Sequence, residues 1–130
     1  MPSNYSEIDR ERVRLTLGDI GTAISNLIEW NCNVSSSEDY YTTQQGAQLL
    51  AANCTLITAI GEGVNRCNRI MPGFLSDNFP NIPWHAIIGM RNHIAHGYFE
   101  LDADMVFEAV KTDIPSLKLV ICEAVAILTD

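Results

Sequence analysis

Apolar residues recur along this chain at helical intervals almost from end to end. Val13, Leu17, Ile20, Ile24 and Leu27 are spaced 4, 3, 4 and 3 apart, the period of one helix face. Ser6 with Asp9 three residues on has the form of a capping box, so the pattern predicts a helix over 7–31, roughly 37 Å long at 1.5 Å per residue. The polar stretch NCNVSSSED at 31–39 reads as a loop. Ser36 or Ser37 is placed to cap the next helix, with Glu38 and Asp39 in its first turn. A second seam holds Leu49, Leu56, Ile60, Val64 and Cys67. Asn53 falls inside it and reads as a satisfied buried amide that sets register against a neighbouring helix. Pro72-Gly73 ends that helix. The linker to Pro80 carries Phe74, Leu75 and Phe79, so it is expected to pack. A third helix is predicted to begin in 81–84, where Pro83 suits a first turn. Its broad face holds Trp84, Ile87, Ile88, Arg91 and Ala95, and Gly97 stops it. Asp102 is expected to cap a short helix over 103–111. Asp113 with Pro115 opens a fifth, carrying Leu117, Ile121, Ala124 and Leu128. There is no sustained β-branched alternation and no Asn-Gly or Asp-Gly turn. The expected fold is all-α, an antiparallel bundle of four to five helices in a single domain over 1–130.

Composition narrows the function classes. The 130 residues are 47% hydrophobic and 18% charged, with 8 Lys+Arg against 16 Asp+Glu, a formal charge of −8. That apolar content excludes a disordered polyelectrolyte. The acidic balance excludes a basic-armed protein that grips nucleic acid by bulk charge. No apolar run approaches the roughly 20 residues of a membrane span. The N-terminus, MPSNYSEIDRERVR, has no apolar export core, so the expected location is the cytoplasm, away from membranes. Cys32, Cys54, Cys67 and Cys122 stand singly, without C-x-x-C spacing. They read as four small buried or half-buried side chains. His85, His93 and His96 do not form a zinc spacing, so neither a metal nor another cofactor is expected.

Polar chemistry concentrates in Met90-Arg91-Asn92-His93-Ile94-Ala95-His96-Gly97-Tyr98-Phe99. Arg91 offers a rigid fork of donors suited to a phosphate. His96 can accept or donate a proton near neutral pH. Asn92, four residues before His96, shares its helix face and can orient it or hold substrate. This trio is a minimal set for metal-independent cleavage of a phosphodiester whose own 2′-OH attacks, a requirement that RNA meets and DNA does not. Arg91 and His96 are five apart, about 140° around a regular helix, so they do not converge within one. Either Gly97 unwinds the last turn, or a second protomer supplies the matching group across a twofold axis. Read without catalysis, Arg91 is a surface or interface cation, His96 complements a helix end, and Tyr98 is a half-buried ring beside Phe99. Glu62 reads as a solvated residue or as a partner for Arg66 four residues on.

The run from Ile82-Pro83-Trp84 through Met90-Arg91-Asn92-His93-Ile94-Ala95-His96-Gly97-Tyr98-Phe99 resembles the signature of HepT-like HEPN-domain toxins. That family carries Arg, four residues, His, one residue, Tyr, and Arg91, His96 and Tyr98 match that spacing. Ile60-Gly61-Glu62 and Ile114-Pro115-Ser116-Leu117 are further landmarks, so the likeness covers about 56–121. Gly63-Val64 departs from the small alanines usual after the Gly-Glu pair. The resemblance implies a small helical homodimer, with Arg91 and His96 of both protomers lining an interface cleft that cuts tRNA or mRNA without a metal. It implies a minimal nucleotidyltransferase antitoxin that AMPylates Tyr98. The added negative charge and bulk beside Arg91 and His96 would exclude the RNA backbone. A net charge of −8 is unfavourable for a protein that cuts RNA, but its distribution helps. Residues 60–100 are neutral, with Arg66, Arg69 and Arg91 against Glu62, Asp77 and Glu100, so the acidic excess lies elsewhere in the sequence. The alternative from another class is a non-enzymatic helical adaptor that binds a nucleotidyltransferase.

Overall fold

The Ser6 Oγ accepts the Asp9 N–H at 3.0 Å and opens α1, Glu7–Trp30. The computed structural model describes residues 5–95 and 98–129. After α1 come α2 (Asp39–Thr42), α3 (Gln44–Ile70), α4 (Phe74–Asn78) and α5 (Trp84–Ala95). A 3₁₀ turn follows at Tyr98–Glu100, then α6 (Ala103–Glu108), a π turn (Ala109–Asp113) and α7 (Leu117–Thr129). Among the described residues there is no strand, so the fold is all-α.

Contacts between the long helices run in opposite senses. From the end of α1 back to its start, Asn31 bonds Asn53 of α3, Ile20 meets Gly63, and Tyr5 reaches the carbonyl of Pro72. On the other flank Asn31 meets Lys111, Gly21 meets Ile121 of α7, and Arg10 meets Ile127. Helix α1 is therefore antiparallel to both α3 and α7, and α3 carries α5 on its remaining side. The core is apolar and continuous, from Val13, Leu17, Ile20, Ile24 and Leu27 of α1 to Leu117, Ile121, Ala124 and Leu128 of α7. The whole predicted α1 stripe is buried. The 74–80 linker also packs: it forms α4 and buries Phe74 and Leu75. Asp102 caps α6 by accepting the N–H groups of Asp104 and Met105.

The stretch before α3 departs from the sequence reading. Neither Ser36 nor Ser37 caps the long helix. Asp39 turns back to accept the N–H groups of Ser35 (2.7 Å) and Ser36 (3.4 Å), and α2 forms as a single turn. Thr43 is extended, and its Oγ1 accepts the Gly46 N–H at 2.9 Å to start α3. The two helices meet so closely that a Cβ on Gly46 would stand 2.1 Å from the carbonyl oxygen of Asp39. The α3 seam holds at Asn53, Ile60, Val64 and Cys67, all buried, but two of its positions shift by one residue: Leu50 and Ile57 are buried, whereas Leu49 and Leu56 are half-buried. The helix predicted over 103–111 ends at Glu108 and widens into the π turn, which postpones α7 to Leu117. Cys54 and Cys67 are buried, but Cys32 and Cys122 are exposed. Burial pushes the Cys67 thiol up to about 12, so it stays protonated and inert at neutral pH.

By length and composition α3 is apolar enough to cross a membrane, although the sequence reading found no such run. Its apolar content includes Ala as well as Leu, Ile and Val, and only 39% of the most apolar stretch is buried. Helix α3 packs as a bundle helix against α1 and α5.

Asn53 is the anchor of this packing. Its amide and that of Asn31 exchange two hydrogen bonds, each 2.9 Å. The Tyr40 hydroxyl donates to Asn31 Oδ1 at 3.0 Å and lies 3.1 Å from Asn53 Nδ2. Asn31 Nδ2 also donates to the Leu27 carbonyl at 2.8 Å, and Lys111 Nζ donates to the Asn31 carbonyl at 2.7 Å. Burial raises the Tyr40 phenol above its ordinary value and keeps it a neutral donor. One network thus fixes the register of α1, α2 and α3. Asn53→Ala is expected to leave Asn31 and Tyr40 without partners in the core. The cost is about 3 kcal/mol, read as a melting temperature lower by roughly 10 °C.

Candidate active site

Helix α5 is held at its start by Trp84. The ring is buried, and its indole N–H donates to the Phe79 carbonyl at 3.0 Å. The Ile87 N–H reaches back to the Pro83 carbonyl at 3.1 Å, so Pro83 stands just before the first helical residue. One turn on, α5 crosses α3 at Gly61. A Cβ on Gly61 would stand 3.1 Å from the Ile87 carbonyl oxygen, 3.3 Å from that of Ile88 and 3.6 Å from Arg91 Cβ. Two backbones meet here, closer than a side chain ordinarily allows. This gives a physical reason for the Gly-Glu pair that the sequence supplied only as a landmark.

The crossing places Arg91. Its stem rests over Gly61 and the residue is half-buried. The ion pairs among the described residues are Arg12–Asp9 and Arg14–Glu11, so no described carboxylate neutralises the Arg91 guanidinium. Glu62 is exposed and forms no ion pair with Arg66, contrary to the pairing their spacing allowed. Asn92 is exposed while Arg91 is half-buried, as expected for successive residues 100° apart on a helix. His93 lies exposed in the last turn of α5, and His85 is exposed near its start. His96 lies outside the described residues. The backbone of Tyr98 opens the 3₁₀ turn, but its side chain also lies outside them. The structure therefore places Arg91 and Asn92 of the predicted set, and the meeting of Arg91 with His96 is not among the described contacts.

A shallow groove of about 550 Å³ runs beside this crossing. It is floored by Ala51, Cys54, Thr55, Thr58, Ala59 and Glu62 of α3 and edged by Ile94 of α5, one turn beyond Arg91. The sequence reading missed this groove. Its signal was available in the Ala and Thr residues on the side of α3 away from the seam. Among the described residues no group of His, Cys, Asp and Glu is arranged to hold a metal ion.

The family model described as "Ribonuclease HepT-like" matches residues 26–124. The chain belongs to the HepT-like ribonuclease family. Among its relatives, the HepT-like chain is 27% identical over 111 residues to "Putative RNase MJ1380" of Methanocaldococcus jannaschii, covering 85% of this chain and 94% of the relative. "Probable ribonuclease HepT" of Thermococcus cleftensis is 35% identical over 57 residues, covering 44% of this chain and 52% of the relative. "Putative RNase MJ1216" of M. jannaschii is 26% identical over 106 residues, covering 82% and 81%. No solved structure matches the HepT-like chain. Family and relatives agree on ribonuclease chemistry, and the all-α bundle described above is the fold on which this HepT-like chain carries it.

Proposed function

We propose that this chain is the toxin of a toxin–antitoxin pair, a metal-independent endoribonuclease that cuts tRNA or mRNA and works as a homodimer. The observation that carries the reading is Arg91, a half-buried residue whose guanidinium has no described carboxylate partner and whose Cβ lies by Gly61, in a chain of a ribonuclease family. In this reading Arg91 binds the scissile phosphate and stabilises the charge that builds on its oxygens. His96 takes the proton from the ribose 2′-OH, or returns one to the departing 5′-oxygen, and Asn92 orients the imidazole or the substrate. The 2′-oxygen bonds to phosphorus as the P–O5′ bond breaks. The products are a 2′,3′-cyclic phosphate and a 5′-OH, and neither redox change nor metal is needed. A homodimer is supported by the exposed small residues of α3 (Ala51, Thr55 and Ala59), which would let a second copy approach closely and bring a second Arg91 and His96 to the cleft. Purified chain is expected to cut RNA undiminished in excess chelator and to leave cyclic-phosphate ends. Strong inhibition by chelator, or 3′-OH ends, would sink the mechanism.

The same reading makes Tyr98 the target of a minimal nucleotidyltransferase antitoxin in the cytoplasm, which attaches AMP to the phenol. Phosphodiester-linked AMP brings negative charge next to the proposed phosphate site and competes for Arg91. Tyr98→Phe is expected to keep the nuclease active while making it insensitive to the antitoxin. Intact-mass measurement after co-expression should show AMP-sized increments on the wild-type chain and none on the variant. Loss of growth arrest in Tyr98→Phe would instead make the phenol part of the cutting machinery.

A further inference from the structure

The groove of about 550 Å³ between α3 and α5 has one charged residue in its lining, Glu62. The rest of the lining is alanine and threonine, with Cys54 and Ile94. Glu62 is exposed, and among the described residues it forms no ion pair. It directly follows Gly61, where a Cβ would stand 3.6 Å from Arg91 Cβ. Ile94, on the opposite edge, is one turn beyond Arg91 on α5. The groove therefore opens beside the group proposed to hold the scissile phosphate. Its size is that of a small-ligand cleft. Apolar walls with a few placed polar groups are how proteins receive an unstacked base and read its edge.

A carboxylate selects among bases by what it lacks. Its two oxygens accept hydrogen bonds and it has no donor. It repels phosphate, so the RNA backbone is held on the Arg91 side and a base turns towards the groove. Uracil offers one N–H between two carbonyl oxygens, and both of these oppose a carboxylate. Adenine and cytosine each offer an amino group beside a ring nitrogen that only accepts. Guanine presents two neighbouring donors, N1–H and N2–H, matched to the two oxygens of one carboxylate, and paired charge-assisted hydrogen bonds are the strong ones. The second copy proposed above approaches at the Ala51–Thr55 end. Glu62 lies about two turns further along α3 from Thr55, at the end next to Arg91.

We propose that this groove seats a guanine base of the RNA next to the scissile phosphate, with Glu62 accepting its N1–H and N2–H and so setting where the RNA is cut. The inference rests on the ribonuclease reading for its ligand, and its test is read without cutting. The probes are fluorescein-labelled hexamers of 2′-O-methyluridine, whose blocked 2′-oxygens do not attack. One internal uridine is kept, or replaced by the 2′-O-methyl form of guanosine, inosine or adenosine. Anisotropy against the full chain is expected to show the guanosine hexamer bound about fivefold or more tightly than the all-uridine one. Inosine lacks the N2 amino group and should bind about threefold more weakly than guanosine. Glu62→Ala should bring both ratios close to one. Ratios are the readout because removal of a negative charge tightens every RNA alike. Thr58→Trp fills the groove with Glu62 in place and should abolish the same preference. Glu123→Gln on α7 removes a charge elsewhere and should keep every ratio. No binding of any hexamer, equal affinity for guanosine and uridine, tighter binding of adenosine than of guanosine, or ratios that survive Glu62→Ala would each overturn the proposal. Equal affinities together with loss of the dimer in Thr58→Trp would make the occupant a second copy of the chain. A chain that shows the guanine preference but cuts no RNA keeps the groove and loses the ribonuclease mechanism. One that cuts RNA with no base preference in binding keeps the mechanism and loses the groove.

Discussion

Arg91→Ala is expected to lower RNA cleavage by roughly 10²–10³-fold with the helical signal and melting temperature nearly unchanged. The two halves of this expectation have separate grounds. The guanidinium has no described carboxylate partner, so its removal leaves no buried counter-charge behind. Arg91 is half-buried and is not part of the buried core, so its truncation opens no core cavity. The catalytic loss follows from what a guanidinium supplies to a phosphate: two parallel donors and a charge that does not titrate. Arg91→Lys restores the charge without the fork and should recover part of the rate. Gly61→Ala makes the contrasting variant. Its new Cβ would press on two carbonyl oxygens at 3.1 and 3.3 Å, so α5 must shift, at about 1–3 kcal/mol for overpacking. This variant should lose stability and activity together, whereas Arg91→Ala should lose activity alone. The checks are a cleavage time course and a thermal melt for each protein. An Arg91→Ala protein that cuts near the wild-type rate removes Arg91 from the mechanism.

Much of this architecture was legible before any coordinates. The α1 stripe was readable because its face is uniformly apolar, and all five of its predicted core residues are buried. The cap at Ser6, the cap at Asp102 and the start of α5 behind Pro83 followed from local chemistry that tertiary contacts did not override. The start of α3 was not legible, for an equally local reason. Ser36 and Ser37 offered themselves as caps, but Asp39 accepts the N–H groups of Ser35 and Ser36, and Thr43 caps α3 by accepting the Gly46 N–H. In α3 the burial of Asn53, Ile60, Val64 and Cys67 was legible, but Leu49 and Leu56 were misread by one position because Leu49-Leu50 and Leu56-Ile57 are adjacent apolar pairs. Periodicity alone does not choose within such a pair. At the site, residue types pointed to Arg91, but what sets its position is Gly61, thirty residues earlier. A helix pattern cannot show which of its glycines marks a crossing.

His96→Ala is expected to cost more than any other single change at this site, roughly 10²–10⁴-fold in cleavage. A ribose hydroxyl is a weak nucleophile until its proton is taken, and the departing 5′-oxygen leaves poorly until it is given one. Among ordinary side chains imidazole does both near neutral pH, and in the proposed site His96 is the group assigned to that exchange. A phosphate held by Arg91 alone keeps substrate binding and charge stabilisation but loses the proton transfer. The variant should therefore bind RNA about as well as wild type and fail mainly in kcat. Asn92→Ala, which removes an orienting group and not a proton carrier, should fall less. In a host cell, induction of the wild-type chain alone should arrest growth, and induction of His96→Ala should not. Gel filtration and helical signal must match between the two for the comparison to count. Equal arrest by both chains, or by neither, would turn the reading towards a helical adaptor, because a protein that only binds a partner loses nothing when one imidazole is removed from a candidate catalytic motif.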